Sequence, residues 1–216
     1  MFLGFLLAIS ITLNTINYIP VPEPVIEEAP AVEYVVTDGI SDENAKILWT
    51  FLRRYSVNET QAAGALGLFY REGQFTSNSL GWHHHRSAIA GYDIREPFIE
   101  TVDAGLSDGS SLEYFIEYAQ ITGGFGLGQW YTDRYLTELY LYAQEWGTSI
   151  ADAEMQCAYT IWSMNKNERL SAMLRDHPDN PSLFGWNVAV LYDGASEAGE
   201  CISGMSLYYY NMFKEG

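Results

Sequence analysis

The sequence predicts a mainly α protein with an irregular middle. Apolar residues recur at helical spacing along most of the chain from Ala45 onward. Helix-start residues stand just ahead of the first of these runs. Gly, Ser and Asp gather in one region, residues 73 to 128, and interrupt the pattern.

Ser41, Asp42 and Glu43 signal the first helix, and Ala45, Leu48, Leu52 and Tyr55 form its stripe. Asn58 caps a second helix reaching Arg71, with Gln61 three residues on as in a capping box. The region 73–128 reads as loops, with room for a short hairpin or a small helix. A helix at 133–146 follows, on Tyr135, Leu136, Leu139, Tyr140 and Ala143. Another carries Ile150, Ala153, Cys157, Ile161 and Met164. The last two run from Trp186 to Tyr192 and along the stripe Cys201, Met205, Tyr208 and Met212.

Upstream, residues 1–19 are apolar and uncharged, with the length of a signal-peptide core rather than of a membrane span. They read as a signal peptide or an N-terminal membrane anchor, against the plainer reading of a hydrophobic arm. Residues 20–40, rich in Pro and Glu at the start, read as a linker, which leaves 41–216 as one domain.

The 216 residues are 48% hydrophobic, enough for one globular core. A net charge of −17 disfavours nucleic acid as a partner. The 16 Tyr and 6 Trp suit a sugar-binding groove as well as an ordinary core. Cys157 and Cys201 form one bridge in an oxidising compartment or remain buried thiols. No C-x-x-C or H-E-x-x-H pattern occurs, so no metal or other cofactor is expected. In "WHHHR" (82–86) adjacent histidines do not share one face, so an ordinary polar loop outweighs a metal site or a pH-sensitive loop.

Glu72 ends the second helix. Ala65, Leu68 and Phe69 lie seven, four and three residues before it, on its own face. An acid so placed points toward the protein and is paired or has a raised pKa. The helix dipole acts in the same direction, and a raised pKa is what a general acid needs at neutral pH. The plain alternative is an exposed helix-end acid paired with Arg71 or Arg54. The second unusual stretch is "GGFGLGQW" (123–130), whose glycines let backbone turn tightly beside another group. Alone it reads equally as a turn into the next helix, and it lacks the Lys-Ser or Lys-Thr of a phosphate loop.

Together these two stretches resemble the phage tail lysozyme family. There a helix ends in an E-S-G-F-like run, and a G-Y-G-L-G-Q-W-T loop and an arginine follow. Here Glu72-Gly73-Gln74-Phe75 matches the run. Gly124-Phe125-Gly126-Leu127-Gly128-Gln129-Trp130 matches the loop, and Arg134 falls at the arginine's spacing. "FIETVDAG" (98–105), "SIADAEMQCAYTIWSM" (149–164), "VLYDGAS" and "YYYNMF" are similar to flanking segments, so the likeness spans about 41–216. Gly73 departs from the family's serine, Thr76-Ser77 from its Asn-Pro, and "YDGA" from its Y-E-R-P-like segment.

The resemblance implies a lysozyme-like domain that cleaves the glycan strands of peptidoglycan, with Glu72 as the catalytic acid. It implies that Gly124, Phe125, Gly126 and Gln129 shape the substrate cleft, that Trp130 supports it and that Arg134 braces the loop. A second carboxylate is open among Asp93, Asp103 and Asp133, with Asp103 favoured because it lies in a resembling segment; a turn residue before Gly105 is the equal alternative. Without such a partner the sugar's own 6-hydroxyl attacks, as in a lytic transglycosylase. Two further readings stay open: a protein that binds peptidoglycan without cutting it, and a component of a conjugation or secretion apparatus. The expected location is outside the bacterial membrane, secreted or anchored, or in a phage virion.

Overall fold

The computed structural model describes residues 40–81 and 94–214. The apolar N-terminal segment, most of the linker, "WHHHR" and Asp93 lie outside the described residues. Among the described residues, nine α-helices carry the fold and there is no strand.

Helix α1 (Asp42–Tyr55) starts where Ser41 Oγ accepts the Asn44 amide at 3.0 Å. Helix α2 (Glu59–Arg71) starts where Asn58 Oδ1 accepts the Gln61 amide at 2.9 Å. The Gln61 side chain closes this turn by accepting from Val57 N, one residue earlier than a capping box requires. Every residue of α2 from Thr60 to Phe69 is buried. It is therefore the central helix, enclosed by α1, α6 (Ala153–Asn165), α8 (Pro181–Asn187) and α9 (Gly199–Phe213). Burying Phe69 completely contributes about 2–3 kcal/mol.

Contact with α9 is close because the facing residues are small. A Cβ on Gly67 would lie 2.5 Å from Ser206 Oγ and 2.7 Å from the Ile202 carbonyl. This corrects the expected face of α9. Ile202, Ser206, Tyr209 and Tyr210 point inward, whereas Tyr208 is 48% exposed and Met212 37%. The small Ser206 lets two backbones approach, and packing overrides the bulkier stripe. The expected helix Trp186–Tyr192 is split between α8 and a π-helical turn, Val188–Asp193. A 3₁₀ turn, Ser196–Ala198, precedes α9. Cys157 is buried and Cys201 half-buried, and both are free thiols.

The middle holds more helix than its glycines suggest. Helix α3 (Arg95–Ala104) has Pro97 in its first turn, and α4 (Leu112–Thr122) ends at Gly123 in the left-handed conformation. Phe98 stacks on Tyr118 at 4.7 Å and meets Phe125 edge-on at 5.8 Å. The short hairpin is reduced to one turn: Phe125 and Trp130 exchange both backbone hydrogen bonds at 3.0 Å around residues 126–129. Helix α5 (Asp133–Trp146) follows this turn, and α7 (Glu168–Asp176) links α6 to α8.

Candidate active site

Glu72 is the C-cap of α2, and its amide donates to the Leu68 carbonyl at 2.9 Å. The helix comes up through the core and first meets solvent over Tyr70, Arg71 and Glu72. A helix buried on every side does not select a face, so the exit point, not the apolar stripe, places the acid. The Glu72 side chain keeps 18% of its surface exposed, and Arg71 Nη1 stands 3.7 Å from Oε1.

Glu72 opens into a cavity of about 370 Å³ that it shares with Gln129, Tyr70, Arg71, Gln74 and Arg95. Burial pushes the Glu72 carboxyl above the ordinary carboxylate range; Arg71 opposes this and Glu197 adds to it. The carbonyl end of the α2 dipole acts in the same direction as burial. No other carboxylate lines this cavity among the described residues.

The glycine-rich loop lies directly against the end of α2. A Cβ on Gly73 would fall 2.4 Å from the Leu127 carbonyl oxygen and 2.6 Å from Leu127 Cα. Only a residue without a side chain fits at this distance. Gln74 and Phe75 then take positive φ, 49° and 60°, as the chain turns away.

Three anchors hold the loop. Phe125 packs edge-on against Phe115 of α4 at 5.3 Å. Trp130 meets Tyr159 of α6 edge-on at 5.2 Å, and its indole nitrogen donates to Tyr192 Oη at 3.2 Å. Gln156 of α6, fully buried, accepts from Leu127 N at 2.9 Å and donates to the Ser77 and Ile150 carbonyls at 2.8 and 2.9 Å. On the far side, Gly81 N donates to the Gly124 carbonyl at 2.9 Å and Gly126 N to the Ser79 carbonyl at 2.8 Å.

Of the loop residues expected at the cleft, Gln129 alone lines the cavity. It takes a positive φ of 46°, and its amide nitrogen donates to the Gly126 carbonyl at 2.8 Å. Gly124 and Gly126 serve through backbone hydrogen bonds, while Phe125 and Trp130 are buried anchors. Arg134 does not reach the loop. Its side chain is 68% exposed, pairs with Glu138 at 3.2 Å along α5, and lies over Tyr135.

Asp103 is not brought to Glu72. Its Oδ1 accepts the Ile150 amide at 2.9 Å, and it lines a different cavity with Gln144 and Ser149. Asp133 accepts a hydrogen bond from the Gln120 side chain near the start of α5. By charge, Glu197 raises the pKa of Glu72, and Glu72 in turn raises that of Asp193, at the end of the π-helical turn. Asp193 falls in the "YDGA" segment, whose departure from the family pattern was the available signal.

Among the described residues, no three His, Cys, Asp or Glu side chains gather as a metal site, and no helix is long and apolar enough to cross a membrane. No curated protein and no solved structure matches the chain. The family model for phage tail lysozyme matches residues 43–201, from α1 into the start of α9. That membership implies a glycosidase-type enzyme acting on peptidoglycan, and it fits a phage virion location. With the match covering well over half of its length, the chain belongs to the phage tail lysozyme family.

Proposed function

We propose that the protein is a muramidase that cleaves the glycan strands of peptidoglycan, with Glu72 as the general acid. The observation that carries this reading is the Glu72 carboxyl itself. It stands at the end of a buried helix, burial raises its pKa above the ordinary carboxylate range, and it opens on the cavity that Gln129 lines.

In the reaction, protonated Glu72 gives its proton to the glycosidic oxygen as the bond from that oxygen to the anomeric carbon breaks. Positive charge develops at the anomeric carbon and ring oxygen. Water adds to that carbon and its proton returns to the Glu72 carboxylate. Gln129 is fixed by its bond to the Gly126 carbonyl and supplies a rigid polar edge against which a sugar is oriented. Arg71 stabilises the Glu72 carboxylate left after proton transfer.

One observation favours a second reading. Glu72 is the sole carboxylate lining the cavity among the described residues. A site with one acid suits attack by the substrate's own 6-hydroxyl, the chemistry of a lytic transglycosylase. Mass spectrometry of digested walls separates the two. Reducing-end muramic acid supports the muramidase, a 1,6-anhydro product supports the transglycosylase, and tight wall binding with no glycan cleaved contradicts both. In location we favour a phage virion, with export by the N-terminal segment as the alternative.

A further inference from the structure

We infer that Arg95 makes this site selective for acidic glycan. It takes a carboxylate borne on the strand's side branch, from the lactyl group of a muramic acid or from the peptide attached to it. The inference rests on the reading of the cavity as the glycan site and names the chemistry that the cavity prefers.

As a whole the protein is a poor partner for an acidic polymer. Its net charge is −17, with 11 Lys and Arg against 28 Asp and Glu. Such a surface repels a carboxylate-bearing strand at a distance. The cavity reverses the balance. Two guanidinium groups, Arg71 and Arg95, line it, against the single carboxyl of Glu72 among the described residues. In the state from which the proposed reaction starts, Glu72 holds its proton, and the charges on the lining are then those of the two arginines. Arg71 stands 3.7 Å from Glu72 Oε1 and serves that acid. Arg95 is the cation of the cavity that proton transfer does not use.

Arg95 is the first residue of α3. The helix dipole opposes a cation there, so Arg95 does nothing for α3 by standing in its first turn. Glu96 beside it is exposed and does not line the cavity. Arg95 is half-buried, and its Nη1 donates to Asn78 Oδ1 at 3.5 Å. Close to Asn78, Ser79 and Gly81 line the same cavity and bond the glycine-rich loop. One turn along α3, Phe98 stacks on Tyr118 at 4.7 Å and meets Phe125 of that loop edge-on at 5.8 Å. Arg95 and Gln129 are therefore mounted on one frame.

A neutral amide such as Gln129 suffices to orient a sugar hydroxyl. A guanidinium suits another partner, because its planar fork matches a carboxylate with two parallel N–H···O bonds. It has five N–H donors, so the contact with Asn78 does not exhaust it. The cavity, about 370 Å³, takes a short section of strand. A muramic acid there presents its ring to Glu72 and Gln129 and its acidic branch to Arg95. A neutral amino-sugar polymer of the same linkage has the ring but no carboxylate.

The test is calorimetric binding to full-length E72Q, alone and combined with R95Q or R95K. Three soluble strands of equal length are compared, all free of teichoic acid. One bears its peptides. One has been stripped of peptide by an amidase and keeps the lactyl carboxylate. The third is a neutral chito-oligosaccharide. R95Q should weaken binding of acidic strands roughly tenfold and leave the neutral strand unchanged, with R95K in between. A loss confined to the peptide-bearing strand places the carboxylate on the peptide, and one confined to the stripped strand places it on the lactyl group. In protein that keeps Glu72, the R95Q loss should fall on KM rather than kcat. No loss with R95Q, or an equal loss for neutral and acidic strands, would overturn the inference. A further comparison needs no Arg95 variant: E72Q alone should bind an acidic strand more tightly than the neutral one, and the reverse order would refute the preference. Binding of none of the three would overturn the glycan site itself. Cleavage by E72Q at the wild-type rate would overturn the role of Glu72, a result separable from every binding outcome.

Discussion

The indole nitrogen of Trp130 donates to the hydroxyl of Tyr192 at 3.2 Å, and that hydroxyl also meets Ser163 Oγ at 2.6 Å. This buried chain joins the glycine-rich loop, the π-helical turn and α6 at one point. With Gln156, the Phe125–Phe115 contact and the backbone bonds to Ser79 and Gly81, it fixes the loop's position against α2.

Tyr192→Phe removes the shared hydroxyl and strands the buried indole N–H. A loss of about 1–3 kcal/mol is expected, read as a lower midpoint in urea unfolding with an unchanged slope. Activity should fall as well, because the loop sets Gln129.

Gln156→Ala leaves the Leu127 amide and the Ser77 and Ile150 carbonyls without their side-chain partner. Each buried orphan costs about 1–3 kcal/mol, so this should be among the most destabilising single changes outside the apolar core. Thermal unfolding measures it; a midpoint near wild type would mean that the loop does not depend on Gln156.

Gly73→Ala places a methyl group 2.4 Å from the Leu127 carbonyl oxygen, and backbone on both sides must move. Overpacking of this kind costs about 1–3 kcal/mol. The displacement falls between Glu72 and the loop, so kcat should drop more than stability alone explains.

The raised pKa of Asp193 has a definite sign for stability. Its ordinary value is 3.8 and its folded value about 7, so between them the folded state holds a proton that the unfolded state has released. Stability then falls as pH rises through that window. Glu72, also raised, contributes in the same direction. D193N removes the Asp193 contribution. Its melting temperature relative to wild type should therefore be higher at pH 8 than at pH 4.5, and the reverse ordering would contradict the burial of that carboxyl.

Much of the fold was legible because it is local. Ser41 and Asn58 cap the helices they were expected to cap, since an N-cap is a matter of four consecutive residues. Glu72 was legible as a helix-end acid next to apolar residues. What escaped is non-local. The inner face of α9 depends on Gly67 and Ser206 meeting across 139 positions of sequence, and no periodicity in α9 alone shows that (206 − 67 = 139). Helices α3 and α4 were masked by the glycines and serines between and around them, although Phe98, Phe115 and Tyr118 give them a common aromatic core. Gln156 is a polar residue whose importance comes from a partner 29 positions away (156 − 127). Asp103 drew attention through its neighbourhood in sequence; in space it holds the Ile150 amide in place of a sugar.

The most direct measurement is turbidity loss of purified cell walls with the wild type and Glu72→Gln at equal concentration near neutral pH. Glutamine keeps the shape of the side chain and its place at the end of α2 but has no acidic proton to give. A correctly folded E72Q should clear walls at least ~10²-fold more slowly than wild type, the lower range for loss of a general acid. Equal clearing by both proteins would show that the proton comes from elsewhere.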